Sequence, residues 1–248
     1  VDIMRRLFYK GLLADTIKIT GSDAHHLMHV MRAKAGQLVT VVDDNGQVAA
    51  MEMVAFSDSA VTLQLKEHLA ADTESPLKIM LAQCLLKADK MDMVVQKAVE
   101  LGAVGVIPIS SQNCVARYDA KKGAARKDRW QKIADEAAKQ CGRTALLKVR
   151  PIVTLRQFIA DMQATDSSLV FFYENENEQS AKEYLRSLKA KQIVLLVGPE
   201  GGFSLDEAKL IEEAGGKSVT LGPRILRAET AALTAIAVTQ YENGDLGA

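Results

Sequence analysis

The 248 residues are 48% hydrophobic and 25% charged, an ordinary globular composition that excludes a disordered, collagen-like or coiled-coil chain and fits one large domain or two modest ones. Lys+Arg and Asp+Glu number 31 each, so the net charge of zero argues against a nonspecific polyanion binder. No stretch approaches the roughly 20 apolar residues of a membrane helix, and Arg5 and Arg6 precede no long apolar run, so the chain reads as soluble and carries no visible secretion signal.

Val1 is no initiator residue, and Met4 is the expected natural start. A helix opens at Ser22 or Asp23 as N-cap and runs to about Arg32. Gln37–Val42 is an apolar, β-branched strand, followed by the hairpin turn Asp43-Asp44-Asn45-Gly46. Val48–Phe56 and the strictly alternating Val61–Lys66 are further strands, so residues 1–72 read as a small β-rich module, a barrel in outline. The polar stretch ending at Pro76 marks a boundary, with 73–248 as the second domain.

After that boundary strands and helices alternate. Leu77–Leu81 is a strand, and Met91, Val94, Val95, Ala98 and Leu101 mark one face of a helix closed by Gly102. Val104–Ile109, Leu169–Tyr173 and the unbroken apolar run Ile193–Val197 are strands, with helices near 121–141, 179–189 and 205–214. Such alternation predicts an α/β fold with a mainly parallel sheet.

Charge is unevenly placed. Arg117–Arg150 carries 11 Lys/Arg against four acids, a balance of +7, whereas Glu200 to the end carries eight acids against four bases. A basic segment of this kind suits nucleic acid on one face or a solvated lysine-rich helix. Cys84, Cys114 and Cys141 are odd in number and far apart, which suits a reducing cytoplasm and gives no disulfide framework. His25, His26 and His29 share a helix face, but no Cys or carboxylate completes a ligand set with them, so no metal is expected.

Two glycine-rich loops are the sharpest features. Leu195-Leu196-Val197 runs into Gly198-Pro199-Glu200-Gly201-Gly202-Phe203, with Ser204 capping a new helix. Its glycines let backbone approach a ligand at the carboxyl edge of a sheet, although a plain tight turn gives the same composition. The loop is not G-x-G-x-x-G and lacks the lysine of a phosphate loop, which counts against an ATP- or NAD-binding enzyme. The strand Ser218–Leu221 then leads through Gly222-Pro223-Arg224-Ile225-Leu226-Arg227-Ala228-Glu229 into a helix whose residues Thr230–Tyr241 carry no charge. That helix is expected to be buried all round, in a core or a subunit interface. Arg227 and Glu229 beside it suit a cleft, or an Arg–Glu pair that locks the loop.

These two loops, with Lys87-Ala88-Asp89-Lys90-Met91, Gln96–Gly102, Ile133–Arg143 and His25–Arg32, closely resemble the RsmE group of SPOUT methyltransferases, and the resemblance spans essentially the whole chain. Ala88 departs from the expected pattern, which has glycine after the lysine. The resemblance implies an RNA-binding PUA-like barrel over 1–72 and a SPOUT α/β domain with a deep trefoil knot over 73–248. It implies a homodimer that methylates N3 of a uridine in 16S rRNA of the small ribosomal subunit from S-adenosyl-L-methionine. By matching position, the cofactor falls to Leu196, Gly198, Glu200, Gly201, Leu221, Gly222, Ile225 and Leu226. Arg227 is the expected stabiliser of charge on the uracil oxygens, and Glu229 an orienting group, a base, or a purely structural partner. Arg5, Arg6, His25, Arg32, Lys87, Lys90 and Arg143 are expected to meet RNA, through its backbone more than by stacking, since aromatics are only 5% of the chain. Rival readings are methylation of tRNA or of a ribose 2′-hydroxyl, and a non-catalytic RNA-binding adaptor, which predicts degraded loops. The run Glu174-Asn175-Glu176-Asn177-Glu178 reads as a solvated loop.

Overall fold

In the computed structural model, residues 4–70 and 73–247 are described; the residues before Met4 lie outside them. The chain divides into two compact units. One holds the residues up to Glu74 together with Ala138–Ala145; the other holds Ser75–Ala137 and everything from Leu146 on.

The first unit is a five-stranded sheet of β1 (Met4–Phe8), β2 (Thr16–Thr20), β3 (Leu38–Val42), β4 (Val48–Phe56) and β5 (Ala60–Leu69), in the order β1-β3-β4-β5-β2. Only β1 runs parallel to its neighbour β3; the other pairs are antiparallel. The β3–β4 turn forms because the Asp43 carboxylate accepts from the Asn45 and Gln47 backbone N–H groups, both at 2.9 Å, while Gly46 takes φ +76°. Alternation places Val61 and Leu63 of β5 inward with Ile17, Ile19, Val39, Val41, Met51 and Met53. The expected helix is shorter and differently capped. Its α-helical part, α1, is Gly21–His25 with Thr20 at the N-cap, and a π-helical stretch follows over His26–Val30. Asp23 lies within the first turn of α1, not at its cap, and its carboxylate accepts from Lys139 Nζ at 2.7 Å.

Residues 138–145 join this unit through such contacts. Arg143 is buried, and its guanidinium donates to the Glu74 carboxylate, which also accepts from the Thr144 and Ala145 backbone at 2.9 and 3.1 Å. Burial opposes ionisation of Glu74, but Arg143 and these N–H donors outweigh it and hold the carboxyl below its ordinary value.

The second unit is a sheet in the order β12-β10-β11-β6-β7-β8, parallel throughout. Its elements are β6 (Lys78–Cys84), α2 (Lys90–Glu100), β7 (Gly105–Ser110), α3 (Ala120–Cys141), β8 (Lys148–Val149), β9 (Val153–Thr154), α4 (Leu155–Met162), β10 (Ser168–Phe172), α5 (Ala181–Ser187), β11 (Gln192–Val197), α6 (Leu205–Glu213), β12 (Lys217–Val219) and α7 (Ala228–Asn243). The short strand β9 pairs with β7 off the main path. The last turn of α3 belongs to the first unit. β11 is central and buried from Ile193 to Val197, as its unbroken apolar run requires. α6 opens with a capping box: the Ser204 hydroxyl accepts from Glu207 N–H and the Glu207 carboxylate accepts from Ser204 N–H. α4 has no counterpart in the sequence reading, because only Leu155, Phe158 and Ile159 of its eight residues are buried. α7 is buried on one face only. Ala232, Ala235, Ile236, Thr239 and Gln240 turn inward, whereas Thr230 and Tyr241 are exposed, so the expected all-round burial is not met within one chain.

Candidate active site

A cavity of about 660 Å³ opens at the carboxyl ends of β10, β11 and β12. It is lined by the β11 loop from Val197 to Gly202, by the whole stretch from Val219 to Ala228, and by Phe172, Tyr173, Glu174, Asn177, Lys90 and Ala231. The volume suits a nucleotide-sized ligand, and the edge is where open parallel sheets bind one.

Side-chain amides fix the β11 loop from beneath. Gln83 is fully buried and donates to the carbonyls of Cys84 at 2.9 Å and Gly198 at 3.2 Å. Asn113 Nδ2 donates to the carbonyls of Gly201 and Gly202, both at 3.1 Å. The loop closes as a turn in which Gly202 N–H donates to the Pro199 carbonyl at 3.0 Å. Gly202 favours glycine because φ is +66°, a left-handed conformation, and the Glu174 carboxylate occupies the space where a Cβ would stand.

Charge converges at one wall. Lys90 Nζ lies 3.1 Å from Glu229 Oε2 and 3.4 Å from Glu200 Oε1, and Glu200 Oε1 also accepts from Lys87 N–H at 3.1 Å. The Glu229 side chain is only 12% exposed, so the ion pair stands in a partly dry setting. The Glu229 carboxylate raises the Lys90 pKa against a smaller effect of desolvation, with Glu200 adding to it, so the ammonium stays charged. Partial burial opposes ionisation of Glu200, but the N–H groups of Lys87 and Glu200 and the Lys90 ammonium hold it below its ordinary value. Ala88, between Lys87 and this cluster, adopts φ +52°, a left-handed conformation that the glycine expected there takes without strain.

Of the residues expected to hold the cofactor, Gly198, Glu200, Gly201, Leu221, Gly222, Ile225 and Leu226 line the cavity. Leu196 does not; the pleat turns its side chain into the core, and Val197 lines in its place. Arg227 is exposed, lines the cavity, and makes no side-chain cap to α7. No Arg227–Glu229 pair locks the loop among the contacts described, because Glu229 is drawn to Lys90.

The residues expected to meet RNA separate into two kinds. His25 and Arg32 are exposed in the first unit, with the His25 and His29 rings 4.6 Å apart. Lys87 is exposed in the second. Arg6 is half-buried and donates to the carbonyls of Gly142 and Arg143, and Arg143 is buried against Glu74, so both guanidinium groups are held inside the fold and not offered to phosphates. Lys90 is likewise committed to two carboxylates. The Arg5 side chain lies outside the described residues. Among the described residues no three His, Cys, Asp or Glu side chains gather as a metal site, and no helix is long and apolar enough to cross a membrane.

Gln83, Asn113 and Glu174 were not legible as site residues. The first two act through side-chain amides that no motif marks, and Glu174 gave only its place after a strand.

Comparison with known proteins places this geometry. Residues 73–240 match an RNA methyltransferase domain and residues 19–66 an RNA methyltransferase PUA domain. The chain is 34% identical over 233 residues to ribosomal RNA small subunit methyltransferase E of Bacillus subtilis, covering 92% of this chain and 91% of that one. A crystal structure of ribosomal RNA small subunit methyltransferase E from Neisseria gonorrhoeae bound to S-adenosyl methionine superposes with a TM-score of 0.87 at 32% identity, over 98% of this chain and 99% of that one. A putative methyltransferase from Legionella pneumophila in complex with the same cofactor gives 0.88 at 30% identity, over 97% and 98%. The chain therefore belongs to the RNA methyltransferase family, in the ribosomal RNA small subunit methyltransferase E group of SPOUT enzymes, with a PUA-like domain ahead of its α/β methyltransferase domain.

Proposed function

We propose that this protein transfers a methyl group from S-adenosyl-L-methionine to N3 of one uridine in 16S rRNA of the small ribosomal subunit, in the cytoplasm. The observation that carries the reading is the 660 Å³ cavity between two intact glycine-rich loops, in a chain 32% identical to a relative that binds this cofactor. The residues fit such a group. Gly198, Gly201 and Gly222 present backbone without side chains, while Val197, Leu221, Ile225 and Leu226 offer apolar cover for an adenine. When bound, S-adenosylmethionine supplies the methyl group, whose S–C bond breaks with the electron pair kept by sulfur as the N3–C bond forms and the N3 proton passes to water.

The chain's own task is to hold the uracil in line and to offset the negative charge that develops on it as N3 loses its proton. Arg227, at the cavity and free of capping duty, supplies positive charge toward the uracil oxygens. Glu229, paired with Lys90, serves as an orienting group. His25 and Arg32 of the PUA-like domain, with Lys87, contact the RNA backbone. Two copies of the chain form a dimer that covers Tyr241 and Ile225, which are 66% and 88% exposed here, and the carboxyl-terminal segment is knotted.

The test is calorimetry with S-adenosylmethionine, ATP and NAD, followed by label transfer to small subunits and to tRNA. Binding of the first alone, with label in 16S rRNA, supports the reading. Label in tRNA, or binding without any transfer, contradicts it.

A further inference from the structure

Lys90 was expected to meet RNA phosphate, yet its surroundings do not suit that task. A phosphate contact needs an exposed cation, whereas this ammonium sits in the cavity wall between two carboxylates from different segments, Glu200 of the β11 loop and Glu229 of α7. An ammonium carries three N–H donors, and the carboxylates at 3.1 and 3.4 Å restrain its position from two sides by charge. Holding it this way makes a preorganised positive group, one that needs no reorientation when charge develops beside it. The other charged groups lining the cavity are Glu174, Arg224 and Arg227.

Resting on the function proposed above, we propose that Lys90 is a catalytic residue that donates to a uracil carbonyl oxygen and stabilises the N3 anion, with Glu229 and Glu200 as the positioning residues that aim it. N3–H of uracil is a weak acid, and its conjugate base spreads the charge over the flanking oxygens. A fixed cation there increases the fraction of base that is deprotonated and ready to attack. Because Glu200 belongs to the cofactor loop, the same ammonium ties the loop to the start of α7.

The experiment compares the wild-type protein with Lys90→Met and Lys90→Arg on small subunits reconstituted from transcripts made with uridine or with 5-fluorouridine, whose N3 is more acidic. The readouts are kcat, RNA affinity with its salt dependence, cofactor affinity by calorimetry, and Tm. The expected result is a loss in kcat for Lys90→Met of about 10²–10³-fold on uridine. RNA affinity and its salt slope should stay unchanged, about tenfold or more of the loss should return on 5-fluorouridine, and Lys90→Arg should recover activity. Weakened RNA binding with a flatter salt slope and a preserved kcat would make Lys90 a phosphate contact and overturn the proposal. So would an equal loss on both transcripts, which marks a structural role. Absence of transfer by the wild-type protein on both transcripts overturns the functional reading itself, and the proposal with it.

Discussion

Asn113 packs over Gly201: the Asn113 amide donates to the Gly201 carbonyl at 3.1 Å, and a Cβ added at Gly201 would lie 3.1 Å from the Asn113 Cβ. The β11 loop is thus held by an asparagine that also limits what may stand in the loop. Gly201→Val is expected to fold and to lose S-adenosylmethionine binding, because Asn113 must give way and the loop must shift. Asn113→Ala removes two hydrogen bonds to the loop and is expected to weaken binding about tenfold, from about 1 kcal/mol or more in a part-buried setting. Calorimetry on both variants checks this; unchanged affinity in folded Gly201→Val would remove the loop from the cofactor site.

Arg227 makes no side-chain cap and is exposed, so its replacement should be cheap in stability. Arg227→Ala is expected to lower kcat by about 10²–10³-fold with cofactor affinity and Tm nearly unchanged. A large fall in Tm would instead assign the residue to holding the loop.

Arg143 is expected to behave as a structural residue. Arg143→Ala leaves the part-buried Glu74 carboxylate without its guanidinium and is expected to destabilise by about 3–5 kcal/mol, measured by denaturant unfolding. The pH dependence follows from the depressed Glu74 pKa: its contribution is fully present above the ordinary carboxylate value and is lost as pH falls through the lower folded value. Acid unfolding of the variant should therefore lack part of the wild-type slope below that ordinary value. A variant of normal stability with weaker RNA binding would restore Arg143 to the RNA contacts.

Ala88 at φ +52° offers a gain. Ala88→Gly relieves a left-handed alanine, worth about 1–2 kcal/mol, against about 0.5–1 kcal/mol of added freedom in the unfolded chain. A rise in Tm of a few degrees is expected, and a fall would show that the loop depends on the stiffness of alanine.

The sequence was most informative where one residue type has one physical use. The unbroken run Ile193–Val197 is typical of an interior strand, and Asp43-Asp44-Asn45-Gly46 is a strong turn signal; both form as read. Ser204 with Glu207 marked the start of α6. Contacts between distant segments were not legible. Arg143 and Arg6 look like any basic residues, and only the fold brings Glu74 and the Gly142 carbonyl against them. Lys90 was visible as a cation in a motif, but its two carboxylates lie 110 and 139 positions further along the chain, at Glu200 and Glu229. Leu196 failed as a lining residue by one step of the strand, because alternation hands the cavity to Val197. The helix over Thr230–Tyr241 was legible as an element, but its lack of charge overstated how much of it one chain buries.

Methylation at N3 of a single uridine is read out by mass mapping of the modified rRNA. Small subunits from a strain lacking the modification would be incubated with the protein and labelled S-adenosylmethionine, and the 16S rRNA digested and sequenced by mass. One new 3-methyluridine and no other labelled nucleoside is expected. A methyl group on a ribose 2′-hydroxyl, or none in 16S rRNA although the cofactor binds, would contradict it.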